Sequence, residues 1–115
     1  MITLEGVDPK MIANNLEPSE PTHPGKMLKE EIESRGISQK KFAMQTGIPY
    51  TALNEVMNGK RNITTEYALL IEAALGINAD MWLRMQSRYN MIMAKRNDTF
   101  LKRLENVRKI CASLL

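Results

Sequence analysis

The chain has 115 residues, 43% hydrophobic and 25% charged, a balance that suits one compact domain and argues against disorder throughout. No apolar run approaches the ~20 residues needed to span a bilayer, no secretory signal opens the sequence, and the single cysteine, Cys111, excludes an internal disulfide. One histidine and one cysteine far apart leave no zinc cluster, so no metal, no cofactor and no catalytic group is expected, and the composition reads as a small soluble cytoplasmic protein.

Net charge is +3, unevenly spread. Residues 1–23 carry Lys10 against Glu5, Asp8, Glu17 and Glu20. Residues 24–83 hold seven charges of each sign, and residues 84–115 hold eight basic side chains against Asp98 and Glu105. The charge pattern gives an acidic arm (1–23), a neutral middle (24–83) and a basic end (84–115), although a charge run can be no more than a solvated face. The domain bounds are read as the arm (1–23), a helical domain (24–96) and a C-terminal helix (97–115).

Within the arm, "EPSEPTHPG" packs three prolines and a glycine into nine residues and breaks any regular element. Before it, "DPKMIANN" suits a short helix with Asp8 as N-cap and Pro9 in its first turn, and Ile2–Leu4 suits a short extended piece. From Pro24 on, every segment has helical periodicity, and the fold class is all-α with five or six helices. "PGKMLKEEIESRG" places Met27, Leu28 and Ile32 on one face and stops at Gly36. "SQKKFAMQTG" starts at the N-cap Ser38, buries Phe42 and Ala43, and ends at Gly47. "PYTALNEVMNG" turns Leu53, Val56 and Met57 inward and ends at Asn58-Gly59. "TTEYALLIEAALG", capped by Thr64 and stopped by Gly76, is apolar nearly all round and is expected to be the most buried helix. "NADMWLRMQSRYNMIMAKR" has Asn78 as N-cap and a stripe of Trp82, Met85, Tyr89 and Ile92, of which Trp82 is expected in the core. Last, "DTFLKRLENVRKICASLL" spaces Phe100, Leu104, Val107, Cys111 and Leu114 alternately by four and three. That stripe suits packing on another helix, either the preceding one or its copy in a second subunit. Cys111 on this stripe is expected to behave as a small buried hydrophobe.

The connection "TGIPY" is short enough to fix the angle between its two flanking helices. Ala43 supplies a small side chain where they cross, and Gly47, four residues on, supplies a positive φ. A β-branched residue at Gly47 is expected to fail on both counts, by its φ and by intruding on the crossing. Phe42, Ile48, Leu53 and Val56 add the apolar contacts that lock the second helix across the first. The plain alternative is an αα-corner. The full set of offsets, with "NGKR" at the exit, favours a helix-turn-helix whose second helix projects its N-terminal half toward a DNA major groove.

With those residues in view, Pro24 to Tyr89 resembles the Xre/Cro-type helix-turn-helix proteins. Within them it resembles the HigA (VapI-like) antitoxins, on "HPGKMLKEEIESRGISQKKFA", "TGIPYTALNEVMNGKRNITTEYALLIEAALG" and "INADMWLRMQSRYN". The resemblance implies a homodimeric repressor that binds an inverted repeat in its own promoter, and a RelE/HigB-like toxin partner that cleaves mRNA. By the same resemblance Tyr50, Thr51 and Glu55 fall where base edges are read, with Asn54 on the same exposed face, and Gln39 falls where a phosphate is met. Thr51 can offer a methyl to thymine or a hydroxyl to a base edge, and Glu55 can accept from cytosine N4. Lys60 and Arg61 follow the reading helix and would grip the backbone, with Lys40 and Lys41 as alternatives. Asp98–Leu115 goes beyond the family's shorter members, so its role is not carried over. The stripe Phe100, Leu104, Val107 and Cys111 is a dimer-interface candidate from its periodicity and the family's dimeric habit. An arm of net charge −3 could lie on a basic toxin surface, or could simply solubilise. Two other functions remain open at this point: a stand-alone Xre repressor without a toxin, and a helical interaction module without DNA binding, the latter favoured by the neutral charge of residues 24–83.

Overall fold

The computed structural model describes residues 21–114, so the expected Asp8 helix, the Ile2–Leu4 piece and the acidic anchors Glu5, Asp8, Glu17 and Glu20 lie outside the described residues. Every regular element within that range is helical: α1 (Pro24–Ser34), α2 (Gln39–Thr46), α3 (Tyr50–Met57), α4 (Thr65–Leu75), α5 (Ala79–Lys95) and α6 (Asp98–Leu114). The all-α reading holds. Short polar side chains start these helices where expected, each accepting a backbone N–H from the first turn: Ser38 from Lys41, Thr64 from Tyr67 and Asn78 from Asp80, at 3.1, 3.1 and 2.7 Å. Such a cap contributes about 1 kcal/mol by satisfying a donor that the helix itself leaves orphaned.

Thr22–Met91 forms one compact unit. Its centre is built from Leu28 and Ile32 of α1, Phe42 of α2, Leu53 and Val56 of α3, Ala68 and Ile71 of α4, and Trp82 of α5, all at most 2% exposed. Each large side chain removed from water in this way stabilises the fold by about 1.5–3 kcal/mol before entropy is counted. Trp82 is core, as its place on the α5 stripe indicated.

One expectation is corrected. Helix α4 is not buried all round: Ala68, Ile71 and Leu75 face inward, while Leu69 is 52% and Leu70 38% exposed. Its inward residues follow three- and four-residue steps, which turn a single face to the core and leave the other apolar face to solvent.

From Ile92 the chain belongs to a second unit, and α6 is described by itself. No residue of α6 is buried. Phe100, Val107 and Leu114 are 40%, 48% and 78% exposed, and Leu104 is half-buried. Cys111 is exposed, against the expectation of a buried thiol.

Candidate nucleic-acid interface

The tight turn has the predicted construction. Gly47 stands at φ 79°, in the left-handed region, and donates its N–H to the Ala43 carbonyl at 2.9 Å, ending α2. Thr46 braces the bend, donating its hydroxyl to the Phe42 carbonyl at 2.8 Å and accepting the Ile48 N–H at 3.3 Å. Phe42, Ala43, Ile48, Leu53 and Val56 are all buried in one core cluster that takes in α2, the turn and α3. One detail differs. Nothing lies within 4 Å of where a Gly47 Cβ would stand, so the crossing itself has room there and only the positive φ restricts the position.

Helix α3 presents a polar face. Tyr50, 52% exposed, and Thr51 stand in solvent, and Asn54 and Glu55 are half-buried one turn on. Pro49 gives α3 no side-chain cap, so the N–H groups of its first turn are left without a side-chain acceptor. Asn54 accepts the Asn58 side-chain amide at 3.1 Å. Gln39 opens α2 half-buried, with its side-chain N–H₂ buried and lacking an acceptor among the described residues. Lys40 and Lys41 are exposed beside it. An open groove of about 570 Å³ runs between α2 and the start of α3, lined by Lys40, Ala43, Met44, Gly47, Ile48 and Tyr50.

Helix α3 ends in a Schellman turn: the Gly59 N–H bonds the Val56 carbonyl at 3.0 Å and the Lys60 N–H bonds the Glu55 carbonyl at 2.8 Å. This aims the next residues back along the helix. Arg61 reaches Glu55, its Nε and Nη2 donating to one carboxylate oxygen at 2.9 and 2.6 Å. The hydrogen bond and charge of Glu55 raise the Arg61 pKa above its ordinary value. A residue nominated to read a base and one nominated to hold a phosphate are therefore each other's partners in the free protein.

Two supporting residues escaped the sequence reading. Gln86, 4% exposed on α5, accepts the Ile63 N–H at 2.8 Å and donates to the side-chain carbonyls of Asn62 and Asn90 at 3.1 and 3.0 Å, pinning the loop after Arg61. His23, placed with the arm in sequence, is buried and caps α1, its Nδ1 accepting the Gly25 N–H at 2.9 Å. Its only sequence signal was the "HPG" run. Among the described residues there is no cluster of three metal-ligating side chains, and no helix is long and apolar enough to cross a membrane.

The helix-turn-helix family model matches residues 28–82, which brackets α2 and α3. Virulence-associated protein I of Dichelobacter nodosus is 33% identical over 76 residues, 65% of this chain and 70% of that protein. An addiction module antidote protein of a HigA family from Coxiella burnetii is 31% identical with a TM-score of 0.66, covering 76% of this chain and 94% of its own. A Pseudomonas aeruginosa protein solved with its operator DNA is 25% identical with a TM-score of 0.62, covering 65% of this chain and 82% of its own.

Proposed function

Because this chain belongs to the HigA (VapI-like) family of Xre-type helix-turn-helix proteins, we propose that it is an antitoxin that represses its own operon. In this reading it binds an inverted repeat as a homodimer and neutralises a RelE/HigB-like mRNA-cleaving toxin. The observation that carries the DNA part is the polar face of α3, with Tyr50 and Thr51 in solvent, held by a short turn that ends in a left-handed Gly47 and is flanked by buried Phe42, Ile48 and Leu53. Tyr50, Thr51, Asn54 and Glu55 read base edges, and Gln39, Lys60 and Arg61 hold phosphates on either side. The antitoxin part is supported by the likeness to an antidote protein over nearly that protein's whole length.

Repression is steric: a dimer seated on its operator excludes the transcription machinery. Two-fold binding needs a self-complementary contact. The stripe of Phe100, Leu104, Val107 and Cys111 on α6 is apolar and regularly spaced, exposed but for the half-buried Leu104, and it supplies one for a second copy. The test has two arms. Purified protein is titrated on duplex from upstream of its own coding sequence and on a shuffled duplex, and the protein is copurified from its native operon. Preference for the native duplex together with a small basic partner protein supports the reading. Binding without a partner leaves a lone repressor.

The interaction module without DNA binding keeps two observations in its favour. Residues 24–83 have no net charge, and Arg61 is already neutralised by Glu55. Equal and negligible affinity for both duplexes would establish it.

A further inference from the structure

The first turn of α1 is pressed into the last turn of α3. A Cβ on Gly25 would lie 1.7 Å from the Val56 carbonyl oxygen and 2.6 Å from its carbon. That same carbonyl accepts the Gly59 N–H that closes the reading helix. Two backbones approach this closely only where one of them is glycine. His23 stands beside this contact, 7% exposed, with its Nδ1 on the Gly25 N–H. Its Cβ and ring Cγ lie 3.7 Å from where a Gly59 Cβ would be, and the Tyr89 ring of α5 meets it edge-on at 4.8 Å between centroids. The imidazole thus fills the space beneath the turn that carries Lys60 and Arg61.

We propose that His23 and Gly25 are positioning residues for DNA recognition, seating the C-terminal turn of α3 and the Lys60–Arg61 segment so that the reading face meets base edges in register. The inference rests on the DNA-reading function given above. Its physical basis is a difference in tolerance. Base-edge hydrogen bonds need donor and acceptor within about 2.7–3.2 Å, and a tilt of α3 by a fraction of an ångström degrades them. Flexible lysine and arginine contacts to phosphate absorb the same tilt. Loss of the seat therefore lowers operator affinity more than affinity for random DNA.

The chain's single histidine also gives the seat a pH signature. Since Nδ1 accepts a hydrogen bond, the neutral ring carries its proton on Nε2, and a second proton turns the acceptor toward the Gly25 N–H into a donor. The groups that meet the ring are the Gly25 amide of α1, Gly59 in the turn and Tyr89 of α5. Burial holds the His23 pKa below its usual value, and Nε2 is itself buried with no hydrogen-bond partner among the described residues. In the folded protein the neutral, seated form persists below the ordinary histidine value and is lost as pH falls through the depressed folded-state pKa.

The experiment uses the full chain with His23→Asn and Gly25→Ala. Asparagine keeps an oxygen to cap α1 while removing the ring. Anisotropy titrations on the native upstream duplex and a shuffled duplex, from pH 5 to 8 at fixed salt, are paired with urea denaturation. His23→Asn should remain folded, lose about fivefold or more of the native-over-shuffled ratio, and abolish the parent's fall in that ratio as pH drops through the depressed His23 pKa. Gly25→Ala, if it folds, should lose the ratio too. Parental ratio and pH profile in a folded His23→Asn would overturn the proposal, and so would its failure to fold, which would make His23 a folding residue only. A parent with no preference for the native duplex would instead refute the DNA-reading function itself, and the inference with it.

Discussion

Replacing Gly47 isolates backbone strain from packing. The residue sits at φ 79° and ψ 4°, and a Cβ there would meet nothing within 4 Å, so a side chain costs only what the left-handed conformation costs. For alanine that is about 1–2 kcal/mol, of which a stiffer unfolded chain offsets about 0.4–1, for a net of about 1 kcal/mol. Asparagine visits this region more readily and should cost less. Valine, branched at Cβ, should approach the upper end of about 1–3 kcal/mol for a strained residue. Urea denaturation followed by circular dichroism should rank the variants Asn, Ala, Val in rising cost, with a melting shift of about 4–8 °C per kcal/mol for a domain of this size. Gly25→Ala should cost more than Gly47→Ala, because its added carbon runs into the Val56 carbonyl rather than into open space. A Gly47→Ala variant that loses more than about 3 kcal/mol would refute the strain-only account and return the crossing as the cause. Three variants as stable as the parent would mean that the turn is not left-handed in solution.

Thr51→Ala should reduce preference for the native duplex by about 1–3 kcal/mol while leaving shuffled DNA nearly unaffected, and equal loss on both would remove Thr51 from the base contacts. Arg61→Ala should weaken all sequences and make the salt slope shallower by about one, and an unchanged slope would take it off the phosphates. Leu104→Lys with Val107→Lys, on a helix with no fully buried side chain among the described residues, should keep helical circular dichroism and sediment as a monomer; a persistent dimer would place the interface elsewhere. Trp82→Ala should cost about 3–5 kcal/mol by emptying a fully buried site, and a loss under about 1 kcal/mol would contradict its place at the core.

How much of this was legible depended on how local the cause was. Ser38, Thr64 and Asn78 act on amides two or three residues away, so spacing sufficed to find them. Gly47 and the set Phe42, Ala43, Leu53 and Val56 were legible for the same reason, since a short turn converts sequence offsets directly into contacts. Helix α4 misled because composition gives the amount of apolar surface but not how many neighbours exist to cover it. Leu69 and Leu70 are apolar without being core. Gln86 was illegible because its partner Ile63 lies 23 residues away, and a polar residue on a mixed helix gives no sign of a buried amide. His23 failed for a related reason: a proline-rich flank argued for an arm, whereas the contacts with Gly59 and Tyr89 exist only once the chain is folded.

The Glu55–Arg61 pair bears on how a neutral domain could read DNA selectively. On the proposed reading, Arg61 exchanges a carboxylate for a phosphate on binding, and Glu55 is left facing the groove. A site that offers it a cytosine amine replaces the lost partner. A site that does not leaves an unpaired anion among phosphates, and this disfavours the wrong sequence as well as favouring the right one. The expectation is specific. Glu55→Gln removes the charge and releases Arg61, so affinity for shuffled DNA should rise while affinity for the native duplex rises less or falls, and the ratio between them should shrink. The pair is exposed, with side chains 39% and 49% accessible, so its release should cost the fold little, and urea denaturation should show near-parental stability. Titration of both duplexes at two salt concentrations separates the outcomes. If Glu55→Gln weakened shuffled and native DNA alike, the carboxylate would be orienting Arg61 for the phosphate rather than restraining it, and discrimination would have to come from Tyr50, Thr51 and Asn54 alone.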